Sequence, residues 1–393
     1  MPRSTIYEVA KRCGVSTATV SRVVRGRTGF SPATGRRVLA AAAALRWVPS
    51  GPARGLAHRK TGIVGLLFPD LGASGDAEEE SPLYIDQVIR GAERAATAAG
   101  GAVLIAATRG AGRELAFSIA GQVDGLVVLA RSLSARDIKT LSRSVPIVVL
   151  ANRSSQSGLD YVGADNRGGM RELAAHMVNV HRFTALDFVG GPAQSPDSQE
   201  RFAGFRTALR EAGLPDPGQP AADGGFTEAG GARAMRALLA RRKPPQAVVF
   251  ANDEMAVGGL GVLRAAGLQV PSGIAVTGFD DIALARHVQP PLTTVRQPMR
   301  DLGEQAVRLL YGRLAKPASR RESLVLPTQL VLRRSCGCPA RIERVVVEET
   351  GRAVRPRRGE VKKSATSRGQ SCLGIRFTQA ATMDSGGRPA KVA

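Results

Sequence analysis

At 393 residues the chain is long enough for two or three domains with sizeable cores, and 43% of it is apolar. It holds no apolar run of about eighteen residues that could span a bilayer, and its start lacks the apolar stretch of a secretory signal, so a cytoplasmic protein is expected. The net charge of +22 is uneven: residues 1–60 carry twelve Lys/Arg and one acid, residues 339–393 carry twelve and five, and the segment between them is left with +4. Basic ends on a nearly neutral body point to a bound polyanion, and neither end has the bulky apolar face of a membrane-surface helix.

The first helix is signalled by Thr5 with Glu8 three positions on, which has capping-box form. Ile6, Val9 and Ala10 follow at helical spacing, and Gly14 stops the run. Ser16 can cap a second short helix that runs through Val24. Ser31 and Pro32 open a third that runs to Leu45. Two short helices on a tight Gly-containing turn make a helix-turn-helix, whose second helix lies in the major groove with its first side chains at base edges. Thr17, Ala18, Ser21 and Arg22 fall on the exposed face, and Val15, Val20 and Val23 should pack inward. Arg22 is the candidate for a bidentate contact to guanine, worth about 1–3 kcal/mol of discrimination. These motifs, together with Gly14-Val-Ser16, Ser31-Pro-Ala-Thr and Val38-Leu-Ala, resemble the headpiece of LacI/GalR family bacterial repressors.

The resemblance continues into the connector, where the family carries a hinge helix that inserts a leucine into the minor groove. Ala53, Arg54 and Leu56 match it, and Ser50 stands where the usual residue is Asn. Leu56 is of the right type for a wedge that unstacks a base step. Gly51, Pro52 and Gly55 are poor helix formers, so the hinge should be costly to order. The candidate DNA-contacting set is thus Thr5, Ser16, Thr17, Ala18, Ser21, Arg22, Ala53 and Leu56.

From Gly62 short β-branched runs alternate with longer helical ones. Strands are expected over 63–68, 102–106, 125–129, 146–150, 185–189, 247–250 and 275–278. Helices are expected over 84–99, 168–178, 200–211, 228–239 and 252–266. The pattern is α/β, with parallel sheets covered on both faces. Ligands of such sheets bind outside the strands' carboxyl ends. There the sequence places Asp70, Asn152, Arg153, Gly190-Gly191-Pro192, Asn252-Asp253 and Asp280-Asp281, groups suited to sugar hydroxyls or polar heterocycles. Tyr84, Phe226 and Phe279 offer rings to stack on such a ligand.

Val162-Gly-Ala-Asp-Asn166, Arg201-Phe-Ala-Gly-Phe205, Phe250-Ala-Asn-Asp253 and Val276-Thr-Gly-Phe-Asp-Asp281 extend the resemblance to about Arg334. It implies two Rossmann-like lobes, similar to periplasmic sugar-binding proteins, joined by three crossovers with an effector in the cleft. It puts Arg201, Asn252 and Asp280 on the effector, with Asp165 and Phe226 lining the pocket. With the strand-end residues, the candidate effector set is Asp70, Tyr84, Arg153, Asp165, Arg201, Phe226, Asn252 and Asp280. A crossover over 293–297 should be followed by a segment of the first lobe and then by residues 324–332 in the second. The acidic stretch 72–80 reads as an insertion at the cleft mouth.

Cys336-Gly-Cys338 reads as a reduced pair without metal, because no second Cys or His pair sits nearby in sequence. None of the four histidines falls in a ligand motif, and neither a Gly-x-Ser-x-Gly elbow nor a P-loop is present, so no enzyme, metal or cofactor is expected. Residues 339–393 lack periodicity and read as a basic, disordered tail.

The expected organisation is therefore a headpiece over 1–48, a hinge over 49–60, a two-lobed effector-binding and dimerisation body over 61–338, and the tail. The expected protein is a homodimeric repressor of a pseudo-palindromic operator in double-stranded DNA, controlled by a small sugar-like or nucleoside effector, with tetramers left open. The alternative, a sugar-binding protein without regulatory role, leaves the basic headpiece unexplained.

Overall fold

The computed structural model describes residues 5–24, 28–45, 47, 60–69, 82–108, 112–151 and 158–339. Three helices open the chain, α1 (Ile6–Cys13), α2 (Thr17–Val24) and α3 (Pro32–Ala44). The capping box forms: the Glu8 N–H donates to Thr5 Oγ1, and the Thr5 N–H donates to the Glu8 carboxylate at 2.6 Å. Gly14 ends α1 at φ 61°, a left-handed conformation that glycine takes without a Cβ penalty. Ser16 accepts the Thr19 N–H at the start of α2, and Ser31 accepts the Thr34 N–H at the start of α3. Helices this short are marginal alone. They are held by a small core in which Val9, Val20 and Val38 are fully buried beside Ala10, Cys13, Val23 and Ala41. Val15 packs against that core, as its spacing predicts.

Continuous apolar runs then build a six-stranded sheet in the order β11-β5-β4-β3-β1-β2. Its strands are β1 (Ile63–Pro69), β2 (Ala102–Thr108), β3 (Gly125–Leu129), β4 (Ile147–Leu150), β5 (Asp160–Ala164) and β11 (Ser323–Leu326), all parallel. Both faces are covered, as parallel sheets require. Val64 and Leu66 look toward α4 (Pro82–Ala98) and α11 (Met299–Ala315). Leu67 and Leu126 look toward α5 (Gly112–Ala120) and α6 (Ala135–Leu141). Helices α4 and α11 touch backbone to backbone: a Cβ at Gly91 would run into the Arg300 carbonyl, and one at Gly303 into that of Val88.

A second parallel sheet has the order β7-β6-β8-β9, from β6 (Leu186–Gly190), β7 (Ala222–Asp223), β8 (Ala247–Phe250) and β9 (Ala275–Thr277). Around it lie α7 (Asn166–Asn179), α8 (Pro196–Glu211), α9 (Glu228–Leu239) and α10 (Asp253–Ala265). The chain passes between the two sheets three times: at β5 to α7, at β10 (Thr294–Arg296) to α11, and from β11 to β12 (Gln329–Val331). Strands β10 and β12 pair antiparallel as a ribbon, which joins the second lobe through a bridge between Thr277 and Thr293.

One boundary is corrected. Residues 324–326 belong to the first lobe, because β11 pairs with β5 along Leu324, Val325 and Leu326. Only the chain from Gln329 onward serves the ribbon. The apolar run 324–332 reads as one strand, yet Pro327 lacks an N–H for a ladder and breaks it in two.

Candidate functional site

Between the two lobes lies a cleft. Pro69 at the end of β1, Leu129, Ala130 and Arg131 at the end of β3, and Tyr84 and Ile85 of α4 line it from the first lobe. Ser195, Asp197, Arg201, Phe226, Asn252 and Asp280 line it from the second, and Gln297 from the crossover. Carboxyl ends of strands from both sheets thus converge on one volume, as the doubly wound pattern demands.

Arg201, on α8, is the electrostatic centre and is only 3% exposed. Its Nε donates to Asn166 Oδ1 at 2.8 Å and its Nη1 to the Ala251 carbonyl at 2.7 Å, while Nη1 stands 3.2 Å from Asp280 Oδ1. The guanidinium carbon sits 3.9 Å from the centroid of the Phe279 ring and 6.0 Å from that of Phe226. With its fork fixed on several sides, Arg201 presents a pre-set donor surface to the cleft. Asn252 caps α10 by accepting the Met255 N–H, and its Nδ2 donates to the Phe226 carbonyl at 2.9 Å. That bond helps hold Phe226 at φ 67°, with its ring over Gly191, where a Cβ would strike it.

Asp280 is 4% exposed, lies at φ 116° and accepts from Gln297 Nε2 at 2.6 Å. Burial pushes its carboxyl up to about 6 against the opposing pull of Arg201 and Gln297. Burial also raises Asp197, which Asn166 holds at 2.8 Å, and raises the Tyr84 hydroxyl, with Asp197 and Asp280 adding to the effect. The next residue, Asp281, at φ 56°, accepts from Arg296 Nε and Arg333 Nη2, both at 2.6 Å. The strained Asp280-Asp281 corner is thereby tied to the crossover and to the segment just after β12.

Among the residues singled out from sequence, Tyr84, Arg201, Phe226, Asn252 and Asp280 come together in this cleft. Asp165 does not line it. Its carboxylate accepts the Gly168 N–H and caps α7, and it borders a separate hollow with Tyr161, Arg167 and Gln199. Asp70, Asn152, Arg153 and the 72–80 stretch lie outside the described residues. The sequence reading missed Arg131, Ser195, Asp197 and Gln297 as lining residues. Arg131 lies two residues past the end of β3 and is open to the same strand-end rule. Gln297 lay inside the recognised crossover, and Ser195-Pro-Asp197 carries the cap-and-proline signal of a helix start.

On the headpiece, Ala18 and Arg22 are exposed and Thr17 and Ser21 half-buried, all on α2, with exposed Lys11, Arg12, Arg36 and Arg37 on its neighbours. Thr5 and Ser16 are exposed too, each already engaged in capping. Ala53 and Leu56 lie outside the described residues, as does everything from 340 onward.

Comparison with known proteins finds a family match for the headpiece and for the body. A family model described as bacterial regulatory proteins, lacI family, matches residues 5–50, and one described as a periplasmic binding protein-like domain matches residues 174–336. The ribose operon repressor of Escherichia coli (strain K12) is 34% identical over 338 residues, 84% of this chain and 99% of that protein. A structure of the lac repressor dimer bound to operator and the anti-inducer ONPF matches with TM-score 0.74 and 27% identity, covering 85% of this chain and 99% of that one. A complex of the transcriptional regulator CelR with cellobiose matches with TM-score 0.63 and 33% identity, covering 85% of this chain and all, 100%, of that one.

Proposed function

The chain belongs to the lacI family of bacterial regulatory proteins, and we propose that a sugar-like ligand in the interlobe cleft sets how tightly the headpiece holds operator DNA. One observation carries the reading. The buried Arg201 and Asp280, with Asn252 beside them and the rings of Phe226 and Phe279 against Arg201, form a donor-and-acceptor set at the strands' carboxyl ends. Such a set pairs with several hydroxyls of one small polar ligand while a ring covers its apolar face. The solved relative with cellobiose supports a sugar over other polar molecules. A thermal-shift screen of mono- and disaccharides and nucleosides on the full chain tests it: one sugar should raise the melting temperature in proportion to the logarithm of its concentration. A flat response across the panel would count against the reading.

On this proposal the protein is a homodimeric repressor. Two headpieces read the half-sites of a pseudo-palindrome, and the hinge, with Leu56 as its wedge, couples them to the body. The ligand shifts operator affinity by binding two lobe arrangements unequally. Arg22→Ala is expected to weaken binding to the best selected operator by about ten- to a hundredfold. Affinity for unrelated duplexes at the same salt should change far less, and equal losses on both would make Arg22 a phosphate contact only.

The raised carboxyl of Asp280 gives a pH signature. Its folded value near 6 lies above the ordinary value of about 3.9. The folded chain therefore keeps a proton that the unfolded chain releases between those values, so this group's contribution to stability falls as pH rises through the window and is constant above it. Ligand hydroxyls that donate to the ionised form should bind more weakly as pH drops through about 6, by up to about tenfold per pH unit. Calorimetric titration at several pH values checks this, and Asp280→Asn should flatten the profile.

A further inference from the structure

Four metal-binding side chains meet at the end of the second lobe that faces away from the cleft. His176 comes from the last turn of α7, His181 from the turn after it, and Cys336 and Cys338 from the segment after β12. Their ligand atoms all lie within 4.8 Å of one another. Cys336 Sγ is 3.8 Å from His176 Nε2, and Cys338 Sγ is 3.4 Å from His176 Nε2 and 3.5 Å from His181 Nε2. The two Nε2 atoms are 3.0 Å apart. A tetrahedral zinc with Zn–S about 2.3 Å and Zn–N about 2.0 Å requires S···N near 3.5 Å and N···N near 3.3 Å. The four atoms thus stand close to the corners of that tetrahedron.

The local chain is built to hold them there. Cys336 is fully buried against Met177, Ala247 and Ala275, the last two at the amino ends of β8 and β9. The Thr293 hydroxyl donates to Cys336 Sγ at 3.1 Å, a partner suited to a thiolate. Gly337, at φ 107°, lets the chain turn between the two cysteines, and even a Cβ there would press on the His181 ring. Ser335 anchors the segment through Thr293 N–H and the Val276 carbonyl. Neither cysteine is in a disulfide.

We propose that His176, His181, Cys336 and Cys338 form a structural zinc site, a closed Cys2His2 shell that staples the end of the body to α7. Two thiolates balance the ion's charge, and soft sulfur with imidazole in a tetrahedron selects zinc over hard cations. Four protein ligands leave no open position for a substrate, and the site lies away from the cleft, so its role is stability. The expectation of a reduced pair without metal is corrected to this extent: a His pair does stand beside Cys336 and Cys338, though His176 precedes Cys336 by 160 positions. Linear spacing hides a ligand set that only the fold assembles.

Metal analysis of the full chain, purified without a His tag or chelator and dialysed against metal-free buffer, should find about one zinc per chain. Cobalt(II) added to the metal-stripped protein should give the intense visible bands of a tetrahedral site and a sulfur-to-cobalt charge-transfer band. Cys338→Ser and His181→Asn should each lower zinc retention at least about tenfold, while Cys13→Ser should keep the full stoichiometry. If either variant fails to fold, the wild-type zinc content and cobalt spectrum still decide. A folded wild-type chain without zinc and with only the pale spectrum of octahedral cobalt would overturn the site. So would a disulfide between Cys336 and Cys338, seen as two thiols that resist labelling after denaturation without reductant.

Discussion

Replacing Asp280 by Ala is expected to weaken binding of the proposed sugar ligand by about a hundredfold, read by calorimetry at pH 7 on chain shown to be folded. The size follows from burial. Asp280 is 4% exposed and faces Arg201 at 3.2 Å and Gln297 at 2.6 Å. Removing it deletes an acceptor for ligand hydroxyls and also leaves the Arg201 charge without its carboxylate in a desolvated site, so Arg201 turns toward other partners. Gln297→Ala removes only one donor to the same carboxylate, and should cost several-fold rather than a hundredfold. Full affinity in the Asp280→Ala chain would remove the pair from the site and with it the proposed ligand chemistry.

The second large effect concerns stability. Asp160, fully buried at the start of β5, accepts from Arg313 Nε and Nη2 at 2.7 Å each and from the Glu322 N–H at 2.9 Å. Arg313 in turn donates to the carbonyls of Pro317, Ser319 and Arg320. This buried pair, joined by Arg321 Nη1 at 3.3 Å from Asp160 Oδ2, therefore fixes the end of α11 and the approach to β11, the stretch that returns to complete the first lobe's sheet. Asp160→Ala should cost about 3–5 kcal/mol, because it strands a buried guanidinium. The Asp160→Ala, Arg313→Ala double variant should lose less than the sum of the two single variants in denaturant melts. Strict additivity would show that the pair is not coupled. Burial raises the Asp160 carboxyl, but the bonds from Arg313 and Glu322 outweigh it and hold the value below the ordinary range. Its contribution is therefore full above about pH 4 and is lost as pH falls through the depressed folded value.

The headpiece was legible in the sequence because its signals are local. The Thr5 and Glu8 box, Gly14 and the Ser31-Pro32 start each act within one helical turn, and the structure forms all of them. The strand ends were legible for a related reason: a buried apolar run followed by a polar residue in an α/β pattern marks the cleft side. Asn252 and Asp280 were found that way, and Arg131 could have been. What stayed hidden depends on long separations. The Asp160 and Arg313 pair spans 153 positions, and the four zinc-site ligands come from opposite ends of the second lobe's chain. Asp165 differs: the resemblance implies that it lines the pocket, whereas its carboxylate caps α7 beside a separate hollow.

Cleft occupancy is expected to change the hold on DNA, and titration of operator with and without ligand measures this. The full chain would be titrated onto a fluorescently labelled duplex, selected by the protein from a random pool, at fixed salt with and without the sugar found by thermal shift. The wild-type affinity should move by at least about tenfold with the sugar, and the Asp280→Ala affinity should not move at the same sugar concentration. A sugar that binds the wild-type chain yet leaves its operator affinity unchanged would contradict the coupling of cleft to headpiece.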